Sequence, residues 1–467
     1  MTTNEEIQKG ESRTMEFKKE LPKESHKWLK TVVAFANGAG GKIMIGVSNQ
    51  REIPGISEET DIFELKDGIC DSIGPACEPQ VMFDVNAETV DGKQILVIQV
   101  YPGNATPYFL KSFGKENGTF VRLGATTRQA DITTLDELYN RGKHVFYDEF
   151  PDPELEVSEK DIEYLCKDFS DRAERKITRK DLENLHLLIG KDKNTGTNAL
   201  AILLGRHGFS SRIQCAQFKG TEKVVFLDKK EFEGPLCEQI DGAFNFVLSH
   251  INMALEIEGV VHKEKYELPP AAIRELIINA VVHRNYQQHS SVQVAVYDDR
   301  VEISSPGGMY GSLTLEEALG GRSSLRNETL ARTLEKIGII EGWGSGFKRI
   351  FDLCDAQGIE RPVFEEIGDM LRVNFYRNSY EKIGDKSVIN QNIGDKSAIK
   401  LDVGDKNPKN QILEYLKTHE SVKASELMAI LSLKSSRTRD YLSELVKEEK
   451  IVANGENKNR TYSLKKD

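Results

Sequence analysis

Glu275, Asn279 and His283 stand four residues apart in the segment Arg274 to Arg284, RELIINAVVHR. At about 100° per residue they drift by only about 40° per step and share one stripe of a helix, while Ile277, Ile278 and Val281 point elsewhere. A stripe of Glu, Asn and His on an otherwise apolar helix is costly unless its polar atoms meet partners. A metal-bound nucleotide is one such set of partners. An Asn carbonyl suits a hard Mg²⁺ ion, and a carboxylate one turn earlier can orient water on a terminal phosphate.

A second chemistry-bearing group lies near the end of the chain. Ser435, Arg437 and Arg439 open a helical stretch, and Lys458 and Arg460 follow Asn454-Gly455 between two β-like runs. Hydroxyl and guanidinium groups at the start of a recognition helix, with cations on a neighbouring hairpin, suit duplex DNA. Docking to another protein is the other use of so small a domain.

The elements that must position these groups follow from apolar periodicity and punctuation. Pro269-Pro270 opens the helix carrying the stripe, where a missing N–H costs little, and the helix is expected to run to about Arg284. Ser291 to Tyr297 and Arg300 to Ser304 read as a hairpin joined by Asp298-Asp299. Upstream, a helix over His26 to Asn37 leads through Gly38-Ala39-Gly40-Gly41 into a strand, Lys42 to Val47, and Gln94 to Tyr101 has the apolar character of a buried strand. Between them, Glu159 to Asp171 and Pro235 to Ile251 read as helices, Asn198 to Gly205 and Arg212 to Lys219 as strands.

The tail is expected to hold three helices, Asn410 to Thr418, Ser425 to Leu431 and Ser435 to Glu449, then a β-hairpin, which is a winged-helix order. Ahead of it, Ile383-Gly384-Asp385-Lys386-Ser387, Ile393-Gly394-Asp395-Lys396-Ser397 and Val403-Gly404-Asp405-Lys406 form a polar near-repeat too short to bury a core, hence a linker. The expected boundaries are 1–147, 148–268, 269–378, 379–408 for the linker, and 409–467.

A length of 467 residues calls for several domains. A formal charge of −11 excludes a uniformly basic nucleic-acid coat protein, so any contact with phosphate backbones must be local. The segment 409–467 has the right sign for it, with 12 Lys and Arg against 9 Asp and Glu. No apolar run reaches the roughly 18 residues a bilayer demands, and the first thirty residues carry no signal-peptide pattern, so a cytoplasmic protein without membrane contact is expected. The six cysteines form no CxxC pair and are expected as reduced, mostly buried thiols.

The stripe resembles the ExxxN helix of the GHKL ATPase superfamily, which includes gyrase, heat-shock chaperones and sensor kinases. More narrowly, ELIINAVVHRNY, VEISSPGGM (Val301 to Met309), GRSSLRN (Gly321 to Asn327) and EGWGSGFKRI (Glu341 to Ile350) occur in the order found in RecG-related, Schlafen-type transcriptional regulators. That resemblance implies a GHKL-like α/β sandwich that binds ATP and Mg²⁺, with Glu275 as the water-activating base and Asn279 as metal ligand. It also implies nucleotide contacts from His283, from Gly307 and Gly308, from Arg322 and Arg326, and from Gly342, Gly344 and Gly346 with Lys348 and Arg349 close by. Ser305 stands where the superfamily places an adenine-reading Asp.

The N-terminal run GESRTMEFK (Gly10 to Lys18), followed by VAFANGAGGKIMIGV (Val33 to Val47), resembles the Schlafen/AlbA-type α/β domain. In Schlafen nucleases two glutamates, matched here by Glu11 and Glu16, act with an aspartate after the glycine-valine strand end; this chain has Ser48-Asn49-Gln50 there. Two-metal cleavage needs carboxylate charge that an amide or hydroxyl does not supply. Glu11 and Glu16 are therefore read first as ion-pairing surface groups near Lys18 and Lys19.

The expectation is an α/β multidomain protein with a Schlafen/AlbA-like N-terminal domain, a GHKL-like ATP-binding domain and a C-terminal winged helix. Its expected role is an ATP- and DNA-binding regulator of transcription, with a homo-oligomer as the expected assembly. A metal-dependent Schlafen-like nuclease in antiphage defence is the alternative, and a scaffold with a degenerate nucleotide fold is a third reading.

Overall fold

The computed structural model describes residues 2–208, 211–258, 261–341 and 346–377, and in the tail 412–413, 416, 422–423, 427, 435–447, 450–454 and 461–465. Side chains are described for these residues except 254–264, 423, 435–437 and 439–440. The chain divides into two units, residues 1–383 and 384–467.

The first unit opens with a four-stranded sheet of β1 (Met15–Lys18), β2 (Gly41–Ile45), β3 (Phe83–Val90) and β4 (Lys93–Val100), in the order β1-β2-β4-β3. β1 runs parallel to β2 and the remaining pairs are antiparallel. Helix α1 (His26–Asn37) buries nearly every residue from Trp28 onward against Ile43, Ile45, Leu96 and Ile98. Its all-round apolar sequence requires such burial. The turn into β2 needs glycine: Gly40 has φ +76°, and a Cβ there would stand 2.7 Å from the Val100 carbonyl oxygen. Asn37 closes the turn from inside, accepting from Tyr108 N at 2.7 Å and donating to the carbonyls of Tyr108 and Phe120. A hairpin, Phe120–Leu123 with Thr126–Gln129, and helix α2 (Ile132–Gly142) follow.

The second layer system is a six-stranded sheet of β5 (Ile213–Phe218), β6 (Phe226–Phe232), β7 (Val292–Val296), β8 (Arg300–Pro306), β9 (Val363–Glu366) and β10 (Met370–Tyr376), in the order β6-β5-β7-β8-β10-β9. β5 and β7 are parallel; the other neighbours are antiparallel. Helices α3 (Leu236–His250), α4 (Pro270–Val282), α5 (Glu328–Lys336) and α6 (Gly346–Gln357) contribute to one continuous core with the sheet. That core begins at Ile162 and ends at Phe375, so the expected boundary between 268 and 269 falls inside a single sheet and core.

One expected element differs in kind. Asn198 to Gly205 was expected as a strand from its short apolar run, and the structure has a helix over Asn198–Leu203. Thr197 caps it by accepting from Leu200 N at 3.4 Å, and all six helical residues are buried. An apolar run buried on every side carries no period that separates strand from helix, and the cap decides. The cysteines are free, with Cys77, Cys215, Cys237 and Cys354 buried. Among the described residues no helix is long and apolar enough to cross a membrane.

In the second unit, helix α7 (Ser435–Lys447) packs Leu442 and Leu445 against Ile412, Leu416, Val422, Leu427 and Ile451. Strands Val422–Lys423, Thr461–Leu464 and Ile451–Asn454 form a small antiparallel sheet in that order. The linker repeat and most of the two helices expected before α7 lie outside the described residues.

Candidate functional site

Helix α4 is apolar almost all round, with Ala272, Ile273, Leu276, Ile277, Ile278, Ala280, Val281 and Val282 buried. Glu275 and Asn279 are the half-buried interruption, and His283 caps the C-terminus with its N–H on the Asn279 carbonyl at 3.0 Å. Asn279 Nδ2 donates to Glu275 Oε1 at 3.2 Å. A carboxylate only accepts, so the amide nitrogen faces it, and among the described residues nothing donates to the side-chain oxygen Oδ1 of Asn279. Burial raises the pKa of Glu275 above the ordinary Glu value, against the lowering effect of the Asn279 bond. Burial, with the Arg326 guanidinium nearby, pushes the His283 imidazole down to about 4, so it is neutral at pH 7.

These three residues open onto a cavity of about 700 Å³ that also takes in Ser305, Gly307, Gly308, Arg322, Arg326 and Gly346. The structure therefore gathers eight of the expected nucleotide residues around one space, although they are spread over more than seventy positions of sequence. Gly342 and Gly344 lie outside the described residues. Gly346 opens α6 against the stripe so closely that a methyl group there would overlap Glu275 Oε1 and stand 3.4 Å from Asn279 Nδ2. Gly307 has φ +93°, and a Cβ on it would overlap the Arg326 guanidinium.

The arginines behave differently from simple phosphate contacts. Arg326 is 7% exposed and donates to the carbonyls of His283 at 2.8 Å and Gly308 at 3.2 Å. Its charge is met by Glu137 at 3.4 Å, so it ties α4, the glycine loop and α2 together. Arg322 pairs with Glu317, Arg332 with Glu328, and Arg349 with Glu341 at 2.5 Å. Any anionic ligand must compete with those carboxylates or use other donors. Lys348 is exposed and does not line the cavity.

Ser305 is buried and donates to the Ala280 carbonyl at 2.5 Å, which spends its hydroxyl on α4. An aspartate does reach the glycine loop, but from the turn before β10. Asp369 accepts from Gly308 N at 3.3 Å and from Gln288, and its main-chain carbonyl accepts from Gly307 N at 2.8 Å. Sequence reasoning missed it because it lies more than sixty positions after Ser305.

It also missed a wall of the cavity. Gly103 and Asn104, with Arg141, His144, Val145 and Phe146 from the end of α2 onward, line the same space. Arg13 reinforces the join by pairing with Glu366 at 2.7 Å and donating to Met309 O at 3.2 Å. Asp148 joins too, accepting from Leu330 N at 2.8 Å at the start of α5.

Glu11 and Glu16 are placed elsewhere, beside β1. Glu11 accepts from Phe17 N at 2.9 Å. Glu16 is held by Lys18 at 2.5 Å and by Arg122 at 2.6 Å, and Arg122 donates onward to the carbonyls of Ser12 and Met15. Both carboxylates are thus engaged, and among the described residues no group of three or more His, Cys, Asp or Glu side chains could hold a metal ion. In the tail, Ser435, Arg437 and Arg439 fall in the first turns of α7, but their side chains, and Lys458 and Arg460 altogether, lie outside the described residues.

Comparison with known proteins gives two family matches. Residues 11–131 match the family described as "Schlafen, AlbA_2", and residues 289–375 match that described as "Putative ATP-dependent DNA helicase recG C-terminal", of the HATPase type. The second match spans β7 to β10 with the glycine loop and α6, and begins after Glu275 and Asn279. No curated protein matches the chain. Among solved structures, the DIP2311 protein of Corynebacterium diphtheriae is 19% identical, with 97% of this chain and 92% of that chain covered and a TM-score of 0.43. The N-terminal domain of a "Putative ATP-dependent DNA Helicase RecG-related Protein" from Nitrosomonas europaea is 18% identical, covers 28% of this chain and 91% of its own, and has a TM-score of 0.20. By its two family matches the chain is similar to Schlafen/AlbA_2 proteins over residues 11–131 and to the RecG C-terminal, ATPase-like family over residues 289–375.

Proposed function

We propose that the protein is a nucleotide-binding, DNA-binding regulator that takes Mg-ATP into the cavity over α4. The observation that carries this reading is the convergence of Glu275, Asn279, His283, Gly307, Gly308 and Gly346 on one space of nucleotide size. The donor set fits Mg²⁺, which keeps most of its shell as water and substrate phosphate and needs few protein ligands. Asn279 would hold it through its side-chain oxygen Oδ1, since its amide nitrogen is committed to Glu275 and Oδ1 meets no donor among the described residues. When bound, the ion would neutralise phosphate charge. Glu275, on the same helix face and one turn away, accepts a proton from or orients a water at the terminal phosphate. Its raised pKa suits a base better than that of a fully solvated carboxylate.

DNA contact belongs in this reading to the second unit. A helix, a following hairpin and a basic balance support a winged helix with Ser435, Arg437, Arg439, Lys458 and Arg460 toward DNA. Nucleotide state would then bias how that unit is presented, and a homo-oligomer would multiply the contact. Nuclease action is not favoured, because Glu16 is already neutralised by two cations and Ser48-Asn49-Gln50 brings no acid.

The test is thermal melting of the full chain with and without Mg-ATP. A ligand at about 100 times its Kd stabilises the folded state by about 2.7 kcal/mol, which a melting curve reads as several degrees. An unchanged midpoint at millimolar Mg-ATP, in a cooperatively folding protein, leaves a scaffold as the function.

A further inference from the structure

The cavity holds one cation that stands apart from the rest. Arg322, Arg326 and Arg332 line it with a carboxylate already against each of them: Glu317, Glu137 and Glu328. Arg141 lines the same cavity from the end of α2, in the part of the chain that precedes the six-stranded sheet. Among the described residues it forms no ion pair, and its one side-chain hydrogen bond there is a donation to the Asn37 carbonyl at 2.5 Å.

A guanidinium carries five N–H donors in a planar fork, so one bond leaves most of that capacity unused. Taking such a charge out of water without a direct ion pair is costly, and burial depresses its pKa although the Glu137 carboxylate one turn earlier acts the other way. The cost is recovered when an anion enters the cavity and accepts from the fork, because charge-assisted bidentate contacts are the strong ones. The backbone around Arg141 fits this use. Gly311 packs alongside it, with the Arg141 Cδ 3.7 Å from where a Cβ would stand, and Gly103 and Asn104 bring further backbone to the same cavity.

We propose that Arg141 binds the phosphate chain of the nucleotide, so that the segment similar to Schlafen/AlbA_2 proteins and its α2 extension complete the site of the ATPase-like segment. This rests on the nucleotide reading given above. The same helix carries Glu137, which holds Arg326 and Asn285. Ligand charge at Arg141 therefore pulls on an element that already clasps the glycine loop, and occupancy is felt in the N-terminal part of the chain.

The experiment is calorimetric titration of the full-length protein with Mg-ATP and, separately, with adenosine. Arg141→Gln keeps a donor for the Asn37 carbonyl and removes the charge. The expected result is a loss of about tenfold or more in affinity for Mg-ATP, with adenosine affinity within about twofold of wild type. Arg141→Lys, which keeps the charge, should fall between. Wild-type Mg-ATP affinity in Arg141→Gln, alongside a clear loss in Asn279→Ala, overturns the inference and leaves the nucleotide reading standing. No Mg-ATP heat in the wild type overturns both. Should Arg141→Gln fail to fold, arginine-selective modification of the wild type by phenylglyoxal decides. Peptide mass spectrometry is expected to find Arg141 protected by Mg-ATP and unprotected by adenosine. Equal modification in both overturns the proposal.

Discussion

Glu275 sits between two opposing influences, burial that disfavours its charge and an Asn279 bond that favours it. A carboxylate so placed is available as a base, and its removal leaves the metal-binding amide in position. Glu275→Ala is accordingly expected to keep Mg-ATP binding while lowering turnover by about 10²-fold or more, measured by phosphate release under saturating ATP. The opposite role belongs to Glu16. Its partner Arg122 has a side chain only 2% exposed, so Glu16→Ala strands a buried charge and should cost about 3 kcal/mol in urea denaturation. Neither Mn²⁺ nor Mg²⁺ should support cleavage of single-stranded RNA, tRNA or DNA by the wild type, and cleavage abolished by Glu16→Gln would contradict that assignment. Spacing within one helix made the 275/279/283 stripe legible in sequence. The fates of Arg326 and Glu16 were not, because Glu137 and Arg122 lie 189 and 106 positions away. Pairings at that range are set by tertiary packing.

At the scale of elements, the readable helices were those with an amphipathic period or with glycine or proline at a boundary. Helix α1 spans His26–Asn37 as its sequence indicates, because it is mostly apolar from Trp28 onward and the turn that follows has no room for a side chain at Gly40 or Gly41. Helix α4 is announced by Pro269-Pro270. The Asn198–Leu203 helix was not readable, since six uniformly buried residues carry no period.

The start of α5 depends on a residue that no local motif contains. Asn327 occupies the cap position without a side-chain capping bond, and Asp148 supplies the acceptor for Leu330 N. Burial pushes Asp148 up to about 7 from an ordinary 3.8. The folded state thus binds its proton more tightly than the unfolded chain, so stability is lost as pH rises from about 4 to about 7 and changes no further from this source above that. Asp148→Asn does not titrate. Its melting temperature minus that of the wild type should increase between pH 4 and pH 7.5 and then level off. A difference that shrinks over that range contradicts the buried-carboxylate account.

At the scale of the whole molecule, the composition placed the basic excess at one end, and this governs how DNA could be met. The net charge of −11 is screened beyond about 8 Å at physiological salt, so a local cationic cluster in the tail can act on its own. In gel-shift titrations Arg437→Ala with Arg439→Ala should weaken duplex binding and flatten the slope of log K against log salt by about 2. An unaltered slope would move the second unit to protein docking. What composition could not reveal is that the first 150 residues form part of the cavity wall, because no charge or apolar count records which surfaces meet. The central claim is that this shared cavity holds Mg-ATP with Asn279 on the metal. Isothermal titration of the full-length protein with Mg-ATP tests it most directly. The account predicts saturable binding in the wild type that is weakened by about tenfold or more in Asn279→Ala, and partly lost in wild type when Mg²⁺ is chelated. Absence of binding heat at any temperature in a folded wild-type protein, or equal affinity in Asn279→Ala, would contradict it.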